Sequence, residues 1–141
     1  MTLPIIYIDA ELPSMPRSSR TTQPFWQALA EGRFLLQQCK GCGSLRFPPG
    51  AICQSCPEGE AKWIEVCGKG TLYALTTVHV GPPPLMRDGP YTRAIVDLNE
   101  GVRLIAEWHG DPETPFDTAV ELIVSRYNNG CLFGARSVPS K

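Results

Sequence analysis

Four of the six cysteines form two identical pairs, and no other residues in the sequence indicate a chemistry so directly by their spacing. The pairs are Cys39–Cys42 and Cys53–Cys56; each encloses two residues, and ten residues separate the pairs. A CxxC turn places two sulfur atoms on one side of a tight bend, and two such bends complete a tetrahedron of thiolates. The spacing therefore predicts a four-thiolate zinc site. Because four cysteines leave no ligand position open, we expect the zinc to be structural rather than catalytic.

Three other chemistries use paired cysteines, and the sequence context favours none of them. A redox-active pair needs only one CxxC, at a strand-to-helix turn, whereas Gly43 and 48–50 indicate loops. A disulfide framework needs an oxidising compartment, and the first residues lack the basic start and apolar segment of a signal peptide. An iron–sulfur cluster is compatible with the ligand type, but closed, paired spacing favours zinc. We expect the remaining cysteines, Cys67 and Cys131, to be small apolar strand residues.

The composition limits the class of protein. A net charge of -1 over 141 residues gives no basic footprint for nucleic acid or for a membrane surface. No apolar run reaches the length of a transmembrane helix, so we expect a cytoplasmic protein. The 14 prolines and 13 glycines, with short apolar runs between them, predict many turns and short strands.

One helix is predicted before the first cysteine pair, over Thr21–Glu31. Thr22 is suited to cap it, and Pro24 suits the first turn because a missing N–H costs nothing there. Phe25 and Leu29 lie four residues apart and therefore on one face. A helix this short is not stable alone, so we expect its aromatic face to pack against the cysteine-containing ribbon or a partner.

From residue 62 onward the apolar residues alternate with a period of two, which predicts strands. The predicted strands are Trp63–Cys67, Thr71–Val80, Arg93–Leu98, Val102–His109, Ala119–Arg126 and Cys131–Ala135. In the second of these, the alternation predicts that Leu72 and Ala74 share a face. In the fourth, Val102, Leu104, Ala106 and Trp108 share a face.

These elements predict a mainly β protein with an N-terminal helix and a four-cysteine zinc ribbon, followed by a five-stranded OB-fold barrel. The expected domains are an extended arm at 1–20, the helix and ribbon at 21–61, and the barrel at 62–141.

We predict no catalytic residues, because no nucleophile lies beside a candidate base in the sequence. His79 and His109 each follow a strand pattern and are expected at strand ends. Asp97 and Glu107 alternate with apolar neighbours, so we expect them to be solvated or paired rather than to form an acid–base dyad.

Several short motifs occur in a fixed order along the chain. They are Pro24–Trp26, the CxxCG at Cys39–Gly43, Phe47–Pro49, the second CxxC, Gly68–Tyr73, Pro90–Tyr91 and Val96–Val102. This ordered set resembles the DUF35 family, in which a helix and a rubredoxin-like zinc ribbon precede an OB-fold. The resemblance covers about Thr22 to Phe133. One departure is Asp117, which stands where the family usually has a glycine.

The resemblance implies a non-catalytic companion subunit of a thiolase-superfamily enzyme that makes or breaks a carbon–carbon bond in an acyl-CoA. The chain would then be part of a hetero-oligomer, and the partner would supply the reactive cysteine and histidine. For the coenzyme A thioester as a shared ligand, the candidate contacts are Arg46, Lys40 and Arg87 to phosphates and Phe47 to the pantetheine arm.

The alternative hypothesis is a single-stranded nucleic-acid-binding module. Zinc ribbons and OB barrels both perform this role elsewhere, with aromatic side chains in a basic groove. The near-neutral charge balance and the scattered lysines and arginines argue against it.

Overall fold

The computed structural model of the chain describes residues 2–13, 19–47, 49, 61–83 and 89–139. Within these ranges, one helix and nine strands form a three-stranded sheet and a six-stranded sheet. The elements are β1 (Ile5–Tyr7), α1 (Gln23–Ala30), β2 (Phe34–Cys39), β3 (Leu45–Arg46), β4 (Ala61–Val66), β5 (Lys69–Val78), β6 (Tyr91–Leu98), β7 (Arg103–Trp108), β8 (Ala119–Tyr127) and β9 (Gly130–Ser137). The strands after residue 62 begin and end within about two residues of their predicted bounds.

The smaller sheet is an antiparallel ribbon in the order β3-β2-β4. Its central strand β2 pairs with β4 along its whole length, from Phe34 opposite Val66 to Cys39 opposite Ala61. The strand predicted after residue 62 therefore pairs within the ribbon sheet and not within the barrel. As a result, β2 leads from a paired and largely buried strand, with Cys39 at its end, into the first cysteine turn.

The larger sheet closes into a five-stranded barrel in the order β5-β6-β7-β9-β8, with β8 returning to β5. All neighbours are antiparallel except β7 and β9, which are parallel. This connectivity confirms the predicted OB-type barrel. Strand β1 extends the sheet by pairing in parallel with β8, so the predicted extended arm contributes a strand at Ile5–Tyr7.

The core of the barrel is built from the inward-facing residues of every strand. The alternation predicted for β7 is confirmed, since Leu104, Ala106 and Trp108, with the preceding Val102, are all buried. Each fully buried aliphatic or aromatic side chain contributes roughly 1.5–3 kcal/mol through its removal from water. Hydrophobic burial in these strands therefore holds the barrel closed.

A β-bulge in β5 changes the pattern predicted for that strand. The register shifts between Leu72, which lies opposite Val96, and Ala74, which lies opposite Ile95. One extra residue reverses the alternation of faces, so Leu75 rather than Ala74 packs towards the core. The prediction that Leu72 and Ala74 share a face is therefore wrong.

Helix α1 is shorter than predicted, and its cap differs. Phe25 and Leu29 are buried, which confirms the predicted apolar face. Thr22 occupies the N-cap position, but its side chain makes no capping bond to the helix. Instead, Thr22 Oγ1 accepts a hydrogen bond from the Ser19 N–H at 2.9 Å, so the predicted side-chain cap is wrong. In the described part of the chain, no helix combines the length and apolarity needed to cross a membrane.

Candidate functional site

The first cysteine pair lies in the turn that joins β2 to β3. The Gly43 N–H donates to the carbonyl oxygen of Cys39 at 2.8 Å, and the Cys39 N–H donates to that of Ser44 at 2.9 Å. Gly43 adopts a φ of 76°, a conformation that glycine takes without steric cost. These bonds close residues 39–44 into a compact turn, which we call the first knuckle.

The chemistry of the first knuckle fits zinc. Cys39 and Cys42 are both free thiols rather than partners in a disulfide, Cys39 buried and Cys42 exposed. The Ser44 Oγ lies 3.1 Å from the Cys42 Sγ, where a hydroxyl can hydrogen-bond to a metal-bound thiolate. The other two predicted ligands, Cys53 and Cys56, lie outside the described residues. Within the described ranges, no three metal-binding side chains come together.

Side-chain hydrogen bonds stiffen the hairpin that carries the first knuckle. Arg46 Nε donates to the Gln37 Oε1 at 2.8 Å across the β2–β3 pair. Gln38 Nε2 donates to the carbonyl oxygen of Gly43 at 3.2 Å. Gln37 is buried, so its bond to Arg46 is sheltered from water.

The residues predicted to contact coenzyme A fall into three different environments. Lys40 is exposed within the first knuckle, and Arg46 is half-buried in the same hairpin. Phe47 is half-buried and packs against the core. Arg87 lies outside the described residues. The described structure therefore places two of the three cations on the β2–β3 hairpin.

Four phenylalanine rings connect the helix, the ribbon and the barrel. They come from α1, β2, the residue after β3, and β9, and they are Phe25, Phe34, Phe47 and Phe133. Every pair of these rings has centroids between 5.2 and 6.1 Å apart, the range of favourable aromatic contacts. We call this set the aromatic junction. The expectation that the helix packs on the ribbon is confirmed, whereas the part played by Phe133 was not foreseen.

A histidine and a serine lie together where β7, β8 and β9 meet. His109 Nε2 is 3.4 Å from the Glu107 Oε1 and 3.4 Å from the Ser125 Oγ. Burial lowers the pKa of His109, the carboxylate of Glu107 partly opposes this effect, and the charge of Arg136 adds to it. Sequence reasoning missed Ser125, because its proximity to His109 arises only from strand pairing.

This trio does not have the arrangement of a nucleophilic triad. Ser125 is completely buried, so a substrate cannot reach its hydroxyl. In a triad, the carboxylate orients the histidine through the ring nitrogen that does not face the serine. Here Glu107 and Ser125 both approach Nε2 of His109. The contact is therefore structural and pairs Glu107, as predicted.

Asp97 is also paired, as predicted. Arg103 donates to both of its carboxylate oxygens, from Nε at 2.7 Å and from Nη2 at 3.2 Å. This hydrogen bonding by Arg103 lowers the pKa of Asp97 below its usual value. The same guanidinium lies 3.7 Å from the ring centroid of Tyr73, so it is stacked as well as paired.

Two family models match the chain over consecutive segments. The ChsH2 rubredoxin-like zinc ribbon domain matches residues 26–61, and the ChsH2 C-terminal OB-fold domain matches residues 63–124. The boundary between the two models lies inside β4. The first model spans the first knuckle and both predicted pairs of zinc ligands.

Three curated relatives are each similar to more than half of the chain. A "DUF35 domain-containing scaffold protein" from Methanocaldococcus jannaschii is 36% identical over 84 residues, 58% of this chain and 60% of the relative. "Benzoylsuccinyl-CoA thiolase subunit BbsA" from Geobacter metallireducens is 33% identical over 95 residues, 65% of this chain and 63% of the relative. A "Probable enoyl-CoA hydratase alpha subunit" from Thermomonospora curvata is 33% identical over 95 residues, 67% of this chain but only 30% of the relative. The chain thus spans between about a third and two thirds of the length of these relatives.

Among solved structures, a chain of the "Ltp2-ChsH2(DUF35) aldolase" is similar over almost its full length. The similarity has a TM-score of 0.75 and 28% identity, and it covers 87% of this chain and 98% of that one. The two domain models, the scaffold relative and this structure agree with the ribbon and barrel described above. The chain belongs to the DUF35 family and carries that family's zinc ribbon followed by its OB-fold domain.

Proposed function

We propose that the chain is a zinc-binding accessory subunit of a thiolase-like complex that forms or cleaves a carbon–carbon bond in an acyl-CoA. The observation that carries the proposal is the match to two domains whose relatives include a thiolase subunit and a chain of an aldolase complex. In this role the chain organises the partner, and the partner supplies the reactive groups.

The geometry supports a non-catalytic role. Within the described ranges, the one serine beside a histidine is Ser125, and it is inaccessible. The aromatic junction, by contrast, joins helix, ribbon and barrel through contacts suited to a stiff docking module. A four-thiolate zinc site would add stiffness to the ribbon, because its ligands cross-link two turns that are distant in sequence.

We further propose that the chain helps to hold the acyl-CoA. Lys40 lies within the first knuckle and Arg46 in the same hairpin, and cations there can meet phosphates of coenzyme A. Arg87 and Phe47 complete the proposed set; Phe47 is half-buried and packs against the core.

A second candidate function is a subunit of an acyl-CoA hydratase. The specific observation in its favour is the relative from Thermomonospora curvata, whose name gives a hydratase alpha subunit. The matched segment is 30% of that relative.

The test is co-expression of the full chain with a candidate thiolase-fold partner. Size-exclusion chromatography with light scattering should show a hetero-oligomer, and thiolytic or aldol cleavage of acyl-CoA should require both chains. Hydration of an enoyl-CoA by a complex with a different partner would instead favour the second candidate. A monomer that leaves the activity of each candidate partner unchanged would contradict both.

A further inference from the structure

The N-terminal arm, of which the structure describes residues 2–13, lies along one edge of the barrel. Its strand β1 pairs in parallel with the second half of β8. At the start of this pairing, the Val124 N–H donates to the carbonyl oxygen of Pro4 at 2.9 Å. At its end, the Ile8 N–H donates to the carbonyl oxygen of Arg126 at 2.8 Å. The arm is therefore hydrogen-bonded into the sheet as a strand.

The arm occupies the part of the β8 edge that β5 leaves open. Within the described ranges, β5 pairs with β8 only from Ala119 to Glu121. The Leu122 N–H then donates to the carbonyl oxygen of Gly68 at 2.8 Å, and from Val124 onward the partner is β1. An open edge presents unpaired N–H and C=O groups that can pair with another chain. Without the arm, the end of β8 would be such an edge.

Two buried leucines anchor the arm, one before β1 and one after it, and each lies against a glycine. A Cβ atom on Gly68 would lie 2.6 Å from the Leu3 Cδ2, and one on Gly130 would lie 2.6 Å from the Leu12 Cδ1. Both distances are too short for carbon atoms, so a larger residue at either glycine would displace the leucine. The two glycines therefore leave the space that Leu3 and Leu12 fill.

Hydrogen bonds with the β8–β9 turn hold the last residues of the arm. The Leu12 N–H donates to the Asn129 Oδ1 at 2.8 Å, and the Asn128 N–H donates to the carbonyl oxygen of Ala10 at 2.9 Å. The Asn128 Nδ2 also donates to the Asp9 Oδ1 at 3.2 Å. The arm is thus held by strand pairing, by two apolar anchors and by the asparagines of this turn.

The arm replaces the open part of β8 with a shorter edge. In a parallel pair, alternate residues bond to the neighbouring strand, so the N–H groups of Ile5 and Tyr7 face away from β8. The new edge is β1, which has three residues, whereas β8 has nine. Very short edge strands are one way in which proteins prevent pairing between sheets.

We propose that the arm is a separable strand that caps the edge of β8 and prevents this edge from pairing with a second copy of the chain. The surface from Gly68 to Asn129 is then a binding groove for an extended peptide, and the chain fills it with its own N-terminal segment. Strand pairing supplies affinity and the two leucine sites supply specificity. The arm lies outside both family models, which begin at residues 26 and 63. The inference goes beyond the proposed function and does not depend on it.

The test compares two proline variants of the full chain. Ile8→Pro removes the N–H that donates to Arg126, whereas Tyr7→Pro, the matched control, removes an N–H that faces away from β8. Hydrogen exchange of the Val124 amide is measured by NMR, and the mass in solution by light scattering over a range of concentrations. We expect Ile8→Pro to speed this exchange at least about tenfold and to cause self-association, and Tyr7→Pro to do neither.

A synthetic peptide of residues 1–13 tests whether the arm acts as a ligand. Added in excess to Ile8→Pro, it should restore slow exchange at Val124 and the mass of the unaltered chain, which would also show that the variant is folded. A peptide carrying Leu3→Asp should fail, because a carboxylate would have to enter an apolar site. A peptide carrying Glu11→Ala should succeed, because Glu11 is exposed.

Each opposite result overturns the proposal. Unchanged exchange at Val124 in Ile8→Pro would show that the arm does not protect β8, and an equal effect of Tyr7→Pro would show that the pairing is not the cause. Faster exchange without a rise in mass would refute the role in preventing self-association. Self-association of Ile8→Pro that the unaltered peptide does not reverse would show that the arm is not a separable ligand.

Discussion

Phe34 of β2 and Phe133 of β9 meet edge to face, with ring centroids 5.2 Å apart and an angle of 76° between the rings. The contact connects the central strand of the zinc ribbon to the last strand of the barrel, which are about a hundred residues apart. Phe34 is completely buried. The metal-binding and barrel parts of the chain therefore share one hydrophobic core.

Truncation of Phe34 should destabilise both parts together. We expect Phe34→Ala to lower the free energy of unfolding by about 3–5 kcal/mol, because it leaves a cavity in the aromatic junction. Chemical denaturation should show one transition for the ribbon and the barrel. The exposed Ile105→Ala is the control and should change stability by less than about 1 kcal/mol. Two separate transitions would show that the junction does not couple the parts.

Zinc should be bound through both cysteine pairs and should stabilise the ribbon. We expect elemental analysis to find zinc in the purified chain and to find it lost in Cys39→Ser/Cys42→Ser, since thiolates are the ligands. A chelator should lower the thermal midpoint, because metal binding and local folding are coupled. Cys131→Ser should keep its zinc, because Cys131 lies in β9 and outside the predicted ligands. Full zinc content in the double variant would contradict the ligand assignment.

Acid should weaken the barrel through His109. Burial lowers the pKa of this histidine from its ordinary value of 6.5, while Glu107 opposes the shift and Arg136 adds to it. Below pH 6.5, His109 binds a proton more readily in the unfolded chain than in the folded chain. The contribution of His109 to the free energy of unfolding is therefore complete above pH 6.5. It is lost as the pH falls through the lower pKa that His109 has in the folded protein.

The measurement is the free energy of unfolding between about pH 7.5 and 5, compared with His109→Gln. The variant should show a shallower decline, because glutamine does not titrate. Asp97 is a useful reference, since its lowered pKa places the loss of its contribution at more acidic pH. Identical slopes for the two proteins over this range would rule out the role assigned to His109.

Asp117 should tolerate glycine but not a β-branched residue. Its φ is 63°, the one positive value at a non-glycine residue in the described part of the chain. Its N–H donates to the Leu72 carbonyl oxygen at 2.8 Å, which fixes the loop against the bulge in β5. We expect Asp117→Val to cost about 1–2 kcal/mol, because a β-branched side chain clashes in this conformation.

Asp117→Gly is the matched comparison. Glycine adopts the conformation without strain but loses more entropy on folding, so the two effects should offset to within about 0.5 kcal/mol. Denaturant unfolding measures both variants. Equal stabilities of Asp117→Val and Asp117→Gly would show that the loop relaxes away from this backbone geometry.

The spacing of cysteines and apolar residues predicted the helix and the strands of this fold, because interactions between residues close in sequence determine these elements. The spacing of Cys39 and Cys42 marked the first knuckle, and the alternation from Leu104 to Trp108 identified a buried strand face. The bulge at Leu72–Ala74 was not predictable from alternation, because one inserted residue leaves no signature in apolar spacing.

Contacts between distant elements were beyond a single sequence. Phe133 reaches the aromatic junction, and Ser125 reaches His109, only because β8, β9 and β7 pair in a particular register. Nor did the sequence show that the Glu107 carboxylate would contact His109, although Glu107 lies opposite Arg93 in the β6–β7 register. These contacts between strands form when the barrel closes. Many sequences with alternating apolar residues form such a barrel, so the alternation alone does not specify the contacts.

The shared aromatic junction also affects how the chain can be divided. A cut between β4 and β5 would leave Phe25, Phe34 and Phe47 on one fragment and Phe133 on the other, each with newly exposed aromatic surface. Isolated fragments would therefore tend to aggregate or to reassociate. A gene rearrangement that exchanged only the ribbon or only the barrel would have to supply a matching set of rings.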